Sequence, residues 1–226
     1  MCTVKYQVLD DELTPVVATV NGFSTPVWMQ QRIKEVQNFA QLQCSGCGHC
    51  SVSMVLNLRG QKVTPWEEYQ RCLELFGEQG VSKSGNKQYP FLSVTGMVKV
   101  FNSYGLKARC FGVENGDRKS ATEQIIKELK NGKLVAMVSC PSEEFPNNPF
   151  SKGHHWVVLS GFDESGNIVV LNSSLNGDYS GCVLGINAVD AKTIEMALSK
   201  IANPTDKTWG ELENLDSDGC GFVVIE

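Results

Sequence analysis

The chain has 226 residues, of which 42% are hydrophobic and 20% charged, and its formal net charge is -5. That balance fits one large domain or two small lobes, with enough core to fold without disulfide staples. Acidic and basic residues are interspersed without a basic run, which argues against a nucleic-acid partner. The longest apolar stretches, such as 134–138, are too short to span a bilayer. Residues 1–13 include Lys5, Asp10, Asp11 and Glu12 and no unbroken apolar run. They do not read as a signal peptide, so a cytoplasmic location is expected.

Taken in chain order, Thr25 and Pro26 offer an N-cap and a proline at the first helical position, with Ile33, Val36 and Ala40 as a helical stripe. A second helix is expected from Cys47, where Val52, Val55 and Leu56 recur at helical spacing and Gly60 can end it. Thr64-Pro65-Trp66-Glu67 is a capping box with proline at the first helical position. Tyr69, Cys72, Leu73 and Phe76 follow on one face, and Gly77 closes that helix. Val94, Met97, Val98 and Phe101 predict another helix, ending near Gly105.

Strand signals dominate afterwards. A strand is expected over 106–113, then a helix capped by Ser120 and Glu123 and stopped at Asn131-Gly132. Residues 134–140 and 155–161 read as buried strands. A turn at 163–167 leads into a strand over 168–171. A late helix is expected over about 190–201, and a closing strand over 222–225. The plan is α+β in a single domain over 1–226, with a helical lobe at about 25–105 and an antiparallel sheet lobe at about 106–226.

Chemistry concentrates in few residues. Six of the nine cysteines (Cys2, Cys72, Cys110, Cys140, Cys182 and Cys220) are scattered without framework spacing and read as reduced buried thiols. Cys44, Cys47 and Cys50 stand together. Cys47 opens a helix, where unpaired N–H groups and the helix dipole favour a thiolate, so an acidified thiol is expected. The histidines are His49, His154 and His155. His49 follows Cys47 by two residues on the same helix, a poor angle for a base. His154 and His155 face opposite sides of one strand, and both sides are apolar, so alternation does not choose between them.

The motifs carry a resemblance. Residues 41–57, from Gln41 through Cys47-Gly48 to Met54-Val55-Leu56-Asn57, resemble the opening motif of C39-like peptidases, in the papain-like superfamily. That motif is a Gln, five residues, Cys-Gly, then a helix of small residues and Met or Leu. Gly153-His154-His155-Trp156-Val157-Val158-Leu159-Ser160-Gly161-Phe162-Asp163 is similar to the family's second motif, a His followed by an aromatic, Val-Val-Leu, then Gly, aromatic and Asp. Element order matches from about Phe39 to Leu171.

The resemblance implies a papain-like fold with the site between the lobes. It implies Cys47 as nucleophile, and His155, directly before the aromatic, as base. It implies Gln41, six residues before Cys47, as oxyanion partner of the Cys47 N–H. The implied substrate is a peptide or protein, attacked through a thioester with no cofactor and no metal. Family members usually carry Asp-Pro after the next strand, where this chain reads Leu171-Asn172-Ser173-Ser174. Papain has Asn-Ser there, which makes Asn172 the expected orienter of His155, with Ser173 the weaker alternative.

Four other readings compete. An acyl or peptidyl transferase would use the same thioester with another acceptor. Cys47-Gly48-His49-Cys50 is also the dithiol motif of disulfide isomerases, though Ser45-Gly46 stand where an aromatic is usual and no cis-proline strand is evident. Cys44, Cys47 and Cys50 could hold a metal or an iron–sulfur cluster but lack a clear fourth ligand. An inactive peptide-binding homologue would need no working Cys or His. Cys44 and Cys50 are otherwise bystander thiols or oxidisable partners of Cys47.

Overall fold

Strongly patterned strands and well-capped helices define most of the computed structural model, which describes residues 4–8, 16–28, 46–77, 92–113, 117–174, 185–199 and 221–226. The expected helix carrying Ile33, Val36 and Ala40 lies outside the described residues. Thr25 and Pro26 do not begin a helix. They end β3 (Phe23–Pro26), which pairs antiparallel with β2 (Val16–Val20), itself paired with β1 (Lys5–Val8). Asn21-Gly22 makes the turn between β2 and β3 with φ of 52° and 83° at its two residues. Asn-Gly is the dipeptide that tolerates positive φ twice, and it marks a tight hairpin. Pro26 sits at the end of an edge strand, where its missing N–H costs no ladder bond.

The helices follow. In α1 (Cys47–Leu58), Met54, Val55, Leu56 and Leu58 are all buried. Each such side chain contributes roughly 1.5–3 kcal/mol on leaving water. In α2 (Pro65–Phe76), Thr64 accepts from the Glu67 N–H and the Glu67 carboxylate accepts from the Thr64 N–H, so the capping box forms as expected. Ser93 caps α3 (Val94–Ser103) through the Gly96 N–H. In α4 (Arg118–Lys130) the cap is Asp117, not Ser120, which sits inside the first turn and gives its N–H to the Asp117 carboxylate. Asp190 caps α5 (Ala191–Ala197) in the same way.

Six antiparallel strands form the main sheet: β4 (Ala108–Phe111), β9 (Phe222–Ile225), β5 (Leu134–Ser139), β6 (His155–Phe162), β7 (Ile168–Asn172) and β8 (Ile186–Val189), in that spatial order. Strand β8, like β1, β2 and β3, is an addition to the elements expected from the sequence. The closing strand β9 slots between β4 and β5. Gly221 leads into it with φ of 146°, and a Cβ there would lie 2.3 Å from the Phe111 carbonyl oxygen. Side-chain alternation along β6 divides the core. Trp156 and Val158 face the α1 and α3 side, together with Ala136 and Val138. Val157 and Leu159 face the α4 and α5 side, with Met137, Ile125 and Ile194. A sheet covered on both faces explains why β5, β6 and β7 read as continuous apolar runs. Among the described residues no helix is long and apolar enough to cross a membrane.

Candidate functional site

Helix α1 starts at Gly46 without a side-chain cap. Its first N–H groups therefore donate no bond to a capping side chain. The Cys47 thiol sits there beside the backbone N–H groups of Trp156 from β6, of Gly48 and of Cys47 itself, each of which favours its charged form. Gly48 permits this docking. A Cβ there would stand 3.2 Å from Leu92 atoms and 3.4 Å from Trp156 Cδ1. Trp156 is pinned in turn, because its indole N–H donates to the Leu92 carbonyl at 2.8 Å.

His155 opens β6, buried and directly before Trp156. Its Nε2 lies 2.8 Å from Asn172 Oδ1 at the end of β7. Asn172 pairs across the ladder with Val157, the residue two on from His155, so both point to one side of the sheet. His154 is exposed. The choice that strand alternation left open is thus decided in favour of His155 for burial and for contact with Asn172. Cys47 packs on the α1 side of β6, with Trp156, and His155 turns with Val157 towards the α4 and α5 side. Among the described residues no hydrogen bond joins the Cys47 thiol to the His155 ring. The β6 group beside the sulfur is instead the Trp156 N–H. Gln41 and Cys44 lie outside the described residues. Ser173, the alternative orienter, is buried beside Cys50, where its hydroxyl is placed to favour the charged form of that thiol.

The Asn172 amide has four partners. Its Oδ1 accepts from His155 and from the Ser174 N–H at 2.9 Å. Its Nδ2 donates to the Phe150 carbonyl at 3.1 Å and to Asn187 Oδ1 at 3.3 Å. Neither Phe150 nor Asn187 is among the residues the sequence motifs single out. Ile186-Asn187-Ala188-Val189 does carry a signal, an Asn inside a short β-branched run, once it is read as a strand.

Electrostatics differ from the expectation of an acidified thiol. Burial is the largest influence on Cys47 and pushes its thiol up, and the three backbone N–H groups only partly offset this. Burial also lowers His155 to about 4, opposed by its bond to Asn172. Asn172 is neutral and brings no carboxylate charge to the imidazolium. At rest the thiol and the imidazole are each neutral.

A pH prediction follows from His155. Its folded value lies below the ordinary 6.5, so the unfolded chain binds the proton first as pH falls. The stability tied to a neutral His155 is present above pH 6.5 and is lost as pH falls towards 4. The full loss is about 3 kcal/mol. Denaturant titrations from pH 7 to 4.5 should show most of that loss in the native chain and not in His155→Phe. Equal pH dependence in the two would contradict the assignment.

The other histidine of the cluster is occupied elsewhere. His49 Nδ1 bonds to the Glu68 carboxylate from α2, Cys72 donates to Glu68 Oε1 at 2.8 Å, and all three residues are buried. Donor atoms of this kind can ligate a metal. Two ligands of tetrahedral zinc stand roughly 3.5 Å apart, however, wider than the Cys72–Glu68 separation. The arrangement is a hydrogen-bonded cluster tying α1 to α2. Of the scattered cysteines, Cys72 is buried, Cys140 is half-buried and Cys110 is exposed, against the expectation of burial for the last.

A family model described as the peptidase C39 like family matches residues 33–215. A crystal structure of a protein from Bacillus anthracis, assigned there as a C39-like peptidase, aligns with a TM-score of 0.47 at 16% identity. The alignment covers 80% of this chain and 88% of that one. No curated protein matches the sequence.

Proposed function

The chain belongs to the peptidase C39-like family, and from that premise we propose that it is a cysteine peptidase acting through a thioester on Cys47. The supporting observation is the buried His155–Asn172 contact at 2.8 Å, one residue from the Trp156 N–H that lies beside the Cys47 thiol. With Nε2–H given to Asn172 Oδ1, the lone pair of the imidazole lies on Nδ1, the nitrogen left to take a proton.

As the sulfur attacks the carbonyl carbon of a peptide bond, His155 Nδ1 accepts the thiol proton and a C–S bond forms. The carbonyl π pair moves to oxygen, where the Cys47 N–H and, by the family pattern, the Gln41 amide donate to it. The tetrahedral centre collapses, the C–N bond breaks, and the imidazolium returns its proton to the leaving amine. His155 then deprotonates water, which attacks the thioester, frees the new carboxylate and restores the thiol. Because both resting partners are neutral, proton transfer accompanies attack rather than preceding it. The peptide chemistry rests on family membership, and the substrate sequence is open.

A peptidyl chloromethyl ketone series with different first residues tests the assignment. Cys110 is exposed and would react with any small alkylator, so the probe must be recognised as a peptide. Peptide mapping should place the adduct on Cys47, and the rate should fall at least about a hundredfold in His155→Ala. Adducts on Cys110 alone, or a Cys47 rate indifferent to His155, would sink the proposal. Adding an amine acceptor to the reaction distinguishes transfer from hydrolysis by the mass of the product.

A further inference from the structure

We propose that Asn187 is a positioning residue that locks the Asn172 amide in one orientation and thereby holds His155 as its Nε2–H tautomer. The role in turnover rests on the peptidase reading above; the lock itself rests on geometry. Asn187 lies on β8, buried, and β8 pairs with β7 so that Asn187 stands opposite Val170, two residues before Asn172 on the same side of the sheet. Its Oδ1 accepts an Asn172 Nδ2 proton at 3.3 Å.

The orientation of Asn172 decides what the imidazole can do. As it stands, oxygen faces His155 Nε2, which must then carry the hydrogen, leaving Nδ1 able to accept a proton. With the amide turned over, Nδ2 would face Nε2. The histidine would then hold its hydrogen on Nδ1 and could not take one from a thiol. Turning over would also set an Asn172 oxygen against the Phe150 carbonyl and against Asn187 Oδ1, the two acceptors that now receive Nδ2. Phe150 contributes backbone, which every residue type provides. Asn187 is the side-chain part of the lock.

Asn187 holds this place at a cost. Its own Nδ2 is buried with no partner among the described residues. Turning Asn187 itself would not help, because two donors would then face each other across the Asn172 contact. A buried donor left unpaired is unfavourable, and an apolar residue of similar shape would avoid it. A position chosen for packing alone would favour leucine. Asparagine there fits a demand for an acceptor aimed at Asn172.

Asn187→Leu separates the two accounts, with Asn187→Asp as the variant that keeps the acceptor. Long-range proton–nitrogen correlation spectra on histidine-labelled protein report the tautomer of His155 directly, without turnover. The native chain and Asn187→Asp should show Nε2–H. Asn187→Leu should gain an Nδ1–H population. Its kcat should fall about fivefold, the factor one net hydrogen bond supplies, with KM unchanged and the melting temperature not reduced. A purely structural Asn187 would lower the melting temperature and leave the tautomer alone, and that result overturns the proposal. So does a native tautomer ratio in Asn187→Leu. Failure of the peptidase reading is visible separately, as an unlabelled Cys47 in the native chain.

Discussion

Cys47→Ala is expected to remove turnover to within background, a loss of at least about 10⁴-fold when measured on the fluorogenic peptide the native chain cleaves best. Removing a nucleophile eliminates the covalent route, and what remains is binding and oxyanion stabilisation, so losses of roughly 10⁴–10⁶ are the general experience. The fold should survive. Cys47 is half-buried at a helix start that no side chain caps, and alanine keeps its Cβ against the core cluster. Cys47→Ser should be nearly as inactive, because a hydroxyl opposite a histidine held near 4 has far too weak a base. Cys50→Ser is the control. Cys50 is buried one turn further along α1, its thiol pushed well up by burial and by the nearby Cys47 and Glu68. It has no tendency to ionise, and serine there should leave turnover within about threefold. Intact-mass detection of the thioester in the native chain and in Cys50→Ser, but not in Cys47→Ala, is the measurement. A disulfide-exchange enzyme would show the opposite, with loss of Cys50 trapping mixed disulfides. An active Cys47→Ala would refute the proposed mechanism outright.

Asn172→Ala should lower kcat about 10²–10⁴-fold, the range seen when the group orienting a catalytic histidine is lost. Alanine removes the oxygen that accepts from His155 and Ser174, and also the amide that serves Phe150 and Asn187. Each of these buried groups loses a partner, so stability should fall too, by a few kcal/mol. Activity must therefore be compared well below the melting transition, on protein shown to be folded by its far-ultraviolet circular dichroism. Ser173→Ala tests the alternative orienter. Ser173 faces Cys50 and not the imidazole, so its loss should change kcat by less than about threefold. If Ser173→Ala were the more damaging of the two, the orienting role would belong to Ser173.

Part of this arrangement is legible in the amino-acid sequence. The capping box at Thr64 to Glu67 is a local device, closed within four residues, and it forms as read. The apolar runs in β5 and β6 are legible because a strand covered on both faces has no polar side to show. Cys47 at a helix start and His155 at a strand start are both readable from periodicity and motif spacing. Thr25-Pro26 misleads because an N-cap pair and the end of an edge strand use the same residues. The deciding signal, Asn21-Gly22, lies just upstream.

By itself, then, the sequence determined the α+β plan, the helix that carries Cys47, the strand that carries His155 and Asn172 as the nearest candidate partner. Each depends on a period, a cap or a turn spanning a few residues. Strand alternation could not separate His154 from His155, since both strand faces are apolar; the motif pointed to His155, and the tertiary structure adds that His155 is the one that meets Asn172, presented across the ladder by β7. Only it brought in Asn187, because the short run that carries it shows its signal once β8 is seen paired with β7. And only it set the charge state of the pair. A helix start alone predicts an acidic thiol, but Cys47 and His155 are each taken out of water by the layers packed on the sheet, and that burial outweighs the hydrogen bonds that favour charge. Burial is a sum over segments distant in the chain, and no local pattern encodes it.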